Sequence, residues 1–319
     1  MFTRKYLIRG IGIILLIILL ISVDFSRLID NIGSIRLKYL LFACAWLILI
    51  YVFKSLRWKL LLNSLSIRYS FVKCILVFAS SNFIAFITPG RIGEIAKAFY
   101  LKEDHDVPFA KSFPTVIVDR LFDIYFLLAF SFFGIIKFAL YEQLGFYTYL
   151  FLGLILLLPL IILYKPISLP VLKYVFSLRF FRSFQERFDR FSESFYDSVE
   201  KLINIRMIFT VLLTLLAYMV LFYIGYLLLK SMGIELDFLT IAIFVSVANV
   251  LSFIPISVSG IGTREASMVF LFAIIDKPAE EAILFSFLIF LVFYLVGGIY
   301  GFIAYNIKPI DFKNLKSLK

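Results

Sequence analysis

The stretch Asn82-Phe-Ile-Ala-Phe-Ile-Thr-Pro-Gly-Arg-Ile-Gly-Glu94 ends a long apolar run and breaks it. Pro89 lacks an N–H, and Gly90 and Gly93 have no Cβ, so one helix stops here and another starts. Arg91 and Glu94 follow at once. At hydrocarbon depth a charge costs roughly 2.5–3.5 kcal/mol on insertion scales. Broken backbone and charge are tolerated there only where protein or a wet cavity surrounds them. The stretch therefore reads as a broken, re-entrant helix lining a polar site; the competing reading is a cytosolic loop between two spans.

Outward from this segment the composition sets the class. The chain has 319 residues, 62% of them hydrophobic and 17% charged, with a mean hydropathy of +1.01. That describes an all-α polytopic membrane protein, a single transmembrane domain over 1–319, and not a soluble enzyme. The formal charge of +11 is expected in cytoplasmic loops facing anionic headgroups. No compact basic domain carries it, so nucleic acid is not an expected partner. Cys44 and Cys74 read as packing residues. His105 is the single histidine, which excludes multi-histidine zinc sites and relays. No catalytic residue, metal or cofactor is expected.

The spans follow from hydropathy. Residues 6–23, preceded by Arg4 and Lys5, read as an uncleaved first anchor. A second span covers 38–62, with Lys54, Arg57, Lys59, Arg68 and Lys73 marking its cytoplasmic end. Residues 71–100 hold the interrupted segment, which enters and leaves on the cytoplasmic side. Spans at 113–140 and 146–164 follow. In 170–204, Phe184, Phe188, Phe191, Phe195, Val199 and Leu202 form one helical face. This is expected to be a cytoplasmic amphipathic helix, lying on the bilayer surface or packed on the protein's own loops. A span at 207–229, a second interrupted segment at 238–275 and a last span at 282–305 complete about six spans and two re-entrant segments. Lys308, Lys313, Lys316 and Lys319 keep the C-terminus inside, so both termini are expected in the cytoplasm, with the plasma (inner) membrane as location.

The second interruption, Asn249 to Glu265, repeats the first: an Asn, an apolar run with a Phe-Ile pair, a Pro, a glycine cluster, then an acid beside an Arg. The topology gives the two segments opposite orientation, so residues 38–140 and 207–305 read as halves of an inverted repeat. The expected substrate-binding set is Asn82, Pro89, Gly90, Arg91, Gly93 and Glu94 from the first interruption. The second gives Asn249, Pro255, Gly260, Gly262, Arg264 and Glu265, and the following span adds Asp119, Arg120 and Asp123. The glycine clusters would open short helices near Ile92 and Thr263, with positive ends toward the bilayer middle. Arg91, Arg120 and Arg264 supply guanidinium forks suited to phosphate oxygens. Arg120 is read as the nearest cation to both Asp119 and Asp123. The competing reading makes all these charges structural ion pairs between helices.

Three motifs in order, Thr88-Pro-Gly-Arg-Ile-Gly-Glu94, Val118-Asp-Arg-Leu-Phe-Asp123, and Pro255 with Ser259-Gly-Ile-Gly-Thr-Arg-Glu265, resemble the flippase-like membrane domain of lysylphosphatidylglycerol synthases. The family often has Glu where this chain has Asp119. The aminoacyl-transferase domain of bifunctional members has no counterpart up to Lys319. The resemblance thus implies lipid translocation or handling, of a phospholipid or polyprenyl-phosphate-type headgroup, rather than aminoacyl-lipid synthesis. Membrane lipids with anionic headgroups are the expected ligands and an envelope-biosynthesis enzyme the candidate protein partner. The alternatives are a membrane enzyme acting on a lipid-linked phosphate or sugar, and a scaffold for envelope glycosyltransferases. No Walker A loop is present, so ATP is not a direct energy source.

Overall fold

After a short helix α1 (Phe25–Gly33), helices α2 (Leu37–Ser64) and α9 (Arg206–Ser231) are apolar around most of their circumference. Such helices are stable only inside a large core or across a bilayer. At 28 and 26 residues they rise roughly 40 Å, more than the roughly 30 Å of hydrocarbon they must cross. In a computed structural model describing residues 25–138, 146–177, 185–252 and 260–310, they form the central pair. They run antiparallel: the Arg36 N–H donates to the Ser231 carbonyl at 2.8 Å, and Arg206 Nη1 donates to the Asn63 carbonyl at 2.7 Å. A third long apolar segment, Ala279–Ile307, also has the length and composition to span. It consists of α12 (Ala279–Phe290), a π-type turn (Leu291–Val296) and α13 (Gly297–Ile307). All regular elements among the described residues are helical, as a polytopic membrane protein requires.

Two hairpins pack beside this pair. In the first, α3 (Phe71–Ile87) is followed by a 3₁₀ turn (Pro89–Ile95) and α4 (Ala96–His105). The chain folds back on itself, because Tyr69 and Lys73 at the entrance both reach Asp104 at the exit. In the second, α10 (Phe238–Ser252) returns through α11 (Thr263–Ile274), and Phe244 meets Phe272 at 5.7 Å between ring centres.

The two hairpins pack reciprocally. The first hairpin packs its α3 on α13, and the second packs its α10 on α5 (Phe109–Lys137). Each contact contains a glycine without room for a side chain. A Cβ on Gly301 would lie 2.7 Å from the Ala79 carbonyl oxygen, and one on Gly134 would lie 2.4 Å from the Ile243 side chain. Asn82 and Gly134 are as far apart in sequence as Asn249 and Gly301. α2 and α9 are antiparallel, and each hairpin packs on the last long segment of the other stretch.

Between the halves lie α6 (Phe146–Leu163), α7 (Lys165–Ser177) and α8 (Gln185–Leu202). Of the region expected as one amphipathic helix over 170–204, the described residues fall in α7 and α8, and residues 178–184, including Phe184, lie outside the described set. Nor does the apolar face of α8 rest on a bilayer surface. Phe195, Tyr196 and Val199 are buried against Phe113 and Ile117 of α5, and Phe191 stacks on Phe195 at 5.7 Å. Each such burial contributes roughly 1.5–3 kcal/mol, which fastens α8 to α5. The expected anchor at 6–23, Pro255 and Ser259, and the lysines at 313, 316 and 319 also lie outside the described residues.

Candidate functional site

At the first break Thr88 takes the place of the missing helix hydrogen bonds. Its hydroxyl donates to the Ile84 carbonyl at 3.1 Å and accepts from the Gly93 N–H at 2.8 Å. Gly93 lies against the α3 backbone, where a Cβ would come 2.5 Å from the Ile84 carbonyl carbon. Pro89 and Gly90 form the start of the 3₁₀ turn. Arg91 takes a positive φ of 56°, uncommon for a residue with a side chain and a pointer to function rather than to folding convenience. Its Nη2 donates to Asn82 Oδ1 at 2.6 Å. Asn82 in turn donates to the Tyr51 hydroxyl, which donates to the Gly297 carbonyl, both at 3.0 Å. A polar relay therefore links the first break to the end of the π-type turn in the last span.

The second break opens α11. Gly262 has φ 85°, and its N–H donates to Glu265 Oε2 at 2.6 Å. Gly260 presses on Ser252, closing the hairpin. Arg264 donates to Ser286 Oγ at 2.8 Å and to Glu265 Oε1 at 2.6 Å, and its guanidinium lies over the rings of Phe290 and Tyr294.

The charges of α5 are arranged otherwise than expected. Arg120 is not the partner of Asp119. Asp119 is held by Arg57 Nε at 2.7 Å and Lys97 Nζ at 2.8 Å, all three side chains being buried. Asp123 takes Arg57 Nη1 at 2.8 Å and Lys54 at 3.0 Å, while Arg120 stands 3.7 Å away. Arg120 instead pairs with Glu94. On a helix, side chains three and four apart share a face, so neighbours Asp119 and Arg120 point different ways.

Lys54, Arg57 and Lys97 went unrecognised as site residues. Lys54 and Arg57, expected to mark a cytoplasmic end, lie inside the protein, and Arg57 is fully buried. A signal was present: both fall within the apolar run assigned as a span, one turn apart, where the cost of intramembrane charge demands a partner. Lys97 follows Glu94 by three residues and meets it at 3.4 Å.

These elements surround a partly enclosed cavity of about 90 Å³. It lies beside Tyr51 and Lys54 near the middle of α2 and Tyr218 near the middle of α9. Asn82, Arg91, Arg120 and Asp123 come from the first half, and Asn249, Ser252 and Arg264 from the second. Four cations and one carboxylate line it. Glu94 and Glu265 stand behind their arginines, and Asp119 is sealed beneath Arg57; the glycines shape the breaks. Arg91 Nε, Arg120 Nε and Arg264 Nη1, and both carboxylate oxygens of Glu94 between the first two, are buried without a hydrogen-bond partner among the described residues. Four cations against one carboxylate on this wall suit an anionic ligand with acceptor oxygens.

The sequence profile of the family described as "Lysylphosphatidylglycerol synthase TM region" matches residues 7–301. The chain is 24% identical to the UPF0104 membrane protein MJ1595 of Methanocaldococcus jannaschii, over 98% of each chain. It is 31% identical to the UPF0104 membrane protein PH1989 of Pyrococcus horikoshii, over 38% of this chain and 37% of that one. No solved structure matches.

Proposed function

The chain belongs to the family of the lysylphosphatidylglycerol synthase transmembrane region, and from that premise we propose that it is a lipid translocase. A phospholipid or polyprenyl-phosphate-type headgroup crosses through the central cavity while its acyl or prenyl tails stay in lipid. The observation that carries this reading is the cavity itself. It lies between two inverted halves, beside the middles of their longest helices, and cations from both halves line it. Discontinuous helices meeting near the midplane between inverted repeats suit a site that opens alternately to either side as one half rocks against the other. Arg91, Arg120 and Arg264 bind the headgroup phosphate through guanidinium N–H groups. Asn82 and Tyr51 hold Arg91 in place, and Ser286 and Glu265 hold Arg264.

The lipid leaves covalently unchanged, so the protein is not an enzyme on this reading. Both termini face the cytoplasm in the plasma membrane, and an enzyme of envelope biosynthesis supplies or consumes the lipid. The test uses proteoliposomes of the full chain and a panel of labelled lipids, with leaflet position and lipid mass recorded together. Translocation moves label between leaflets at constant mass. A changed lipid mass would replace this reading with an enzymatic one.

A further inference from the structure

A lipid whose headgroup enters the cavity must keep its tail in hydrocarbon, because each methylene drawn into a polar space costs free energy. The cavity therefore needs an apolar opening toward the bilayer. Two apolar grooves are candidates. The first, of about 240 Å³, lies between α2, α3 and α13, where Ile48, Tyr51, Leu76, Ala79, Ile303 and Ala304 line it. The second, of about 510 Å³, lies between α5, α6, α8 and α9, against Phe122, Leu163, Val199 and Met207. Size favours the second groove, but position favours the first. The second shares no lining residue with the cavity, whereas the first shares Tyr51.

The same helices build both sides of that wall. On α2, Ile50 and Lys54 face the cavity and Ile48 the groove; on α3, Phe78 and Asn82 face the cavity and Ala79 the groove. Tyr51 fills the partition. Its ring lies edge-on to Phe78 at 5.8 Å on the cavity side and to Tyr300 at 6.2 Å on the groove side. Its hydroxyl is fixed by Asn82 and by the carbonyl of Gly297. There the last span leaves its π-type turn, a feature frequent at functional sites. At the outer rim Ile48 and Ile303 are half exposed. Both belong to segments with the length and composition to cross a bilayer, so hydrocarbon covers the mouth. We propose that this groove seats a hydrocarbon tail of the same lipid whose headgroup occupies the cavity, with Tyr51 as the partition that the straddling lipid displaces. The proposal deepens the translocase reading and rests on it for the route; the seat itself rests on the shared wall.

The test fills each groove in turn in the full chain. Leu76→Trp and Ile303→Trp plug the first groove, and Met207→Trp plugs the second. Retained phosphatidylglycerol is read by native mass spectrometry from nanodiscs, and leaflet exchange of the labelled lipid is read in proteoliposomes. The expected result is a fall of at least about tenfold in retention and exchange for each plug of the first groove, with both kept in Met207→Trp. Should Leu76→Trp not yield folded protein, Ile303→Trp decides, since that side chain is half exposed. Chain length separates a tail seat from damage to the headgroup site. In detergent, didecanoyl-phosphatidylglycerol should raise the melting temperature of the wild type more than the dihexanoyl lipid does. Ile303→Trp should lose that difference and keep the smaller shift. Loss of both shifts alike, no lipid retained by the wild type, or a stronger effect of Met207→Trp overturns the proposal. Exchange and retention indifferent to the plugs of the first groove would remove the seat and leave translocation standing. Plug-sensitive retention in a protein that does not exchange lipid would keep the seat and remove translocation.

Discussion

Arg57 holds Asp119 at 2.7 Å, with neither side chain exposed. Arg57 has further bonds to Asp123 and to Thr214 of α9, at 2.8 and 3.1 Å. One guanidinium therefore joins α2, α5 and α9. Breaking a buried pair by removing one partner leaves a buried charge and costs about 3–5 kcal/mol, whereas replacing both can be neutral. Arg57→Met and Asp119→Leu should each reduce folded yield and melting temperature sharply, and the double substitution should recover much of the loss. A single variant that melts with the wild type would deny the clamp.

Arg120 faces the cavity, a fifth of its side chain exposed, and pairs with Glu94. Lys97 remains 3.4 Å from Glu94 if Arg120 is removed. Arg120→Gln should therefore fold better than Arg57→Met yet lose lipid movement, while Arg68→Ala and Arg190→Ala, at exposed positions, keep it. The double variant Glu94→Gln/Arg120→Gln separates structure from binding. It should be folded and inactive; recovery of lipid movement would show that Arg120 is only half of a structural pair.

Three glycines give a graded test. A Cβ at Gly93 would lie 2.5 Å from backbone, at Gly301 2.7 Å from a backbone oxygen, and at Gly298 no nearer than 3.9 Å to any neighbour. Overpacking against backbone costs typically 1–3 kcal/mol. Gly93→Ala and Gly301→Ala should lower the melting temperature, and Gly298→Ala should change stability by less than about 0.5 kcal/mol. Equal behaviour of all three would count against the close approach of hairpin and last span.

Asp237 precedes α10 and accepts from the Thr240 N–H and from Lys137. Burial acts to raise its pKa, but the bonds from Thr240 and Lys137 prevail and bring it down to about 2. Because the folded value is depressed, the stabilisation is complete above the unfolded carboxylate pKa near about 4 and is lost as pH falls toward about 2. Asp237→Asn should melt below the wild type at pH 7, with the gap closing as pH drops through that window. A gap independent of pH would assign the effect to something other than the carboxylate.

Much of the architecture was legible because intramembrane breaks and charges are costly and so stand out. Pro89, Gly93, Gly260 and Gly262 announced two hairpins. Less legible was the partner of each charge. Adjacent Asp119 and Arg120 invite pairing in one dimension, but a helix turns them apart and brings Arg57 and Lys97 from other helices. Lys54 and Arg57 resembled the basic residues that set topology, and only three-dimensional packing separates a snorkelling lysine from one fixed on Asp123. The apolar stripe of α8 was visible, but a stripe does not name what covers it; here Phe113 and Ile117 of α5 do.

The central claim is that two halves jointly form one cation-lined route for a headgroup. Its most direct test is leaflet exchange of labelled anionic phospholipids in proteoliposomes, comparing wild type with Arg91→Gln from the first half and Arg264→Gln from the second. The account predicts exchange well above protein-free vesicles, falling by at least about tenfold in each variant while both remain folded by circular dichroism. Exchange no faster than in protein-free vesicles, or exchange indifferent to both substitutions, would contradict it.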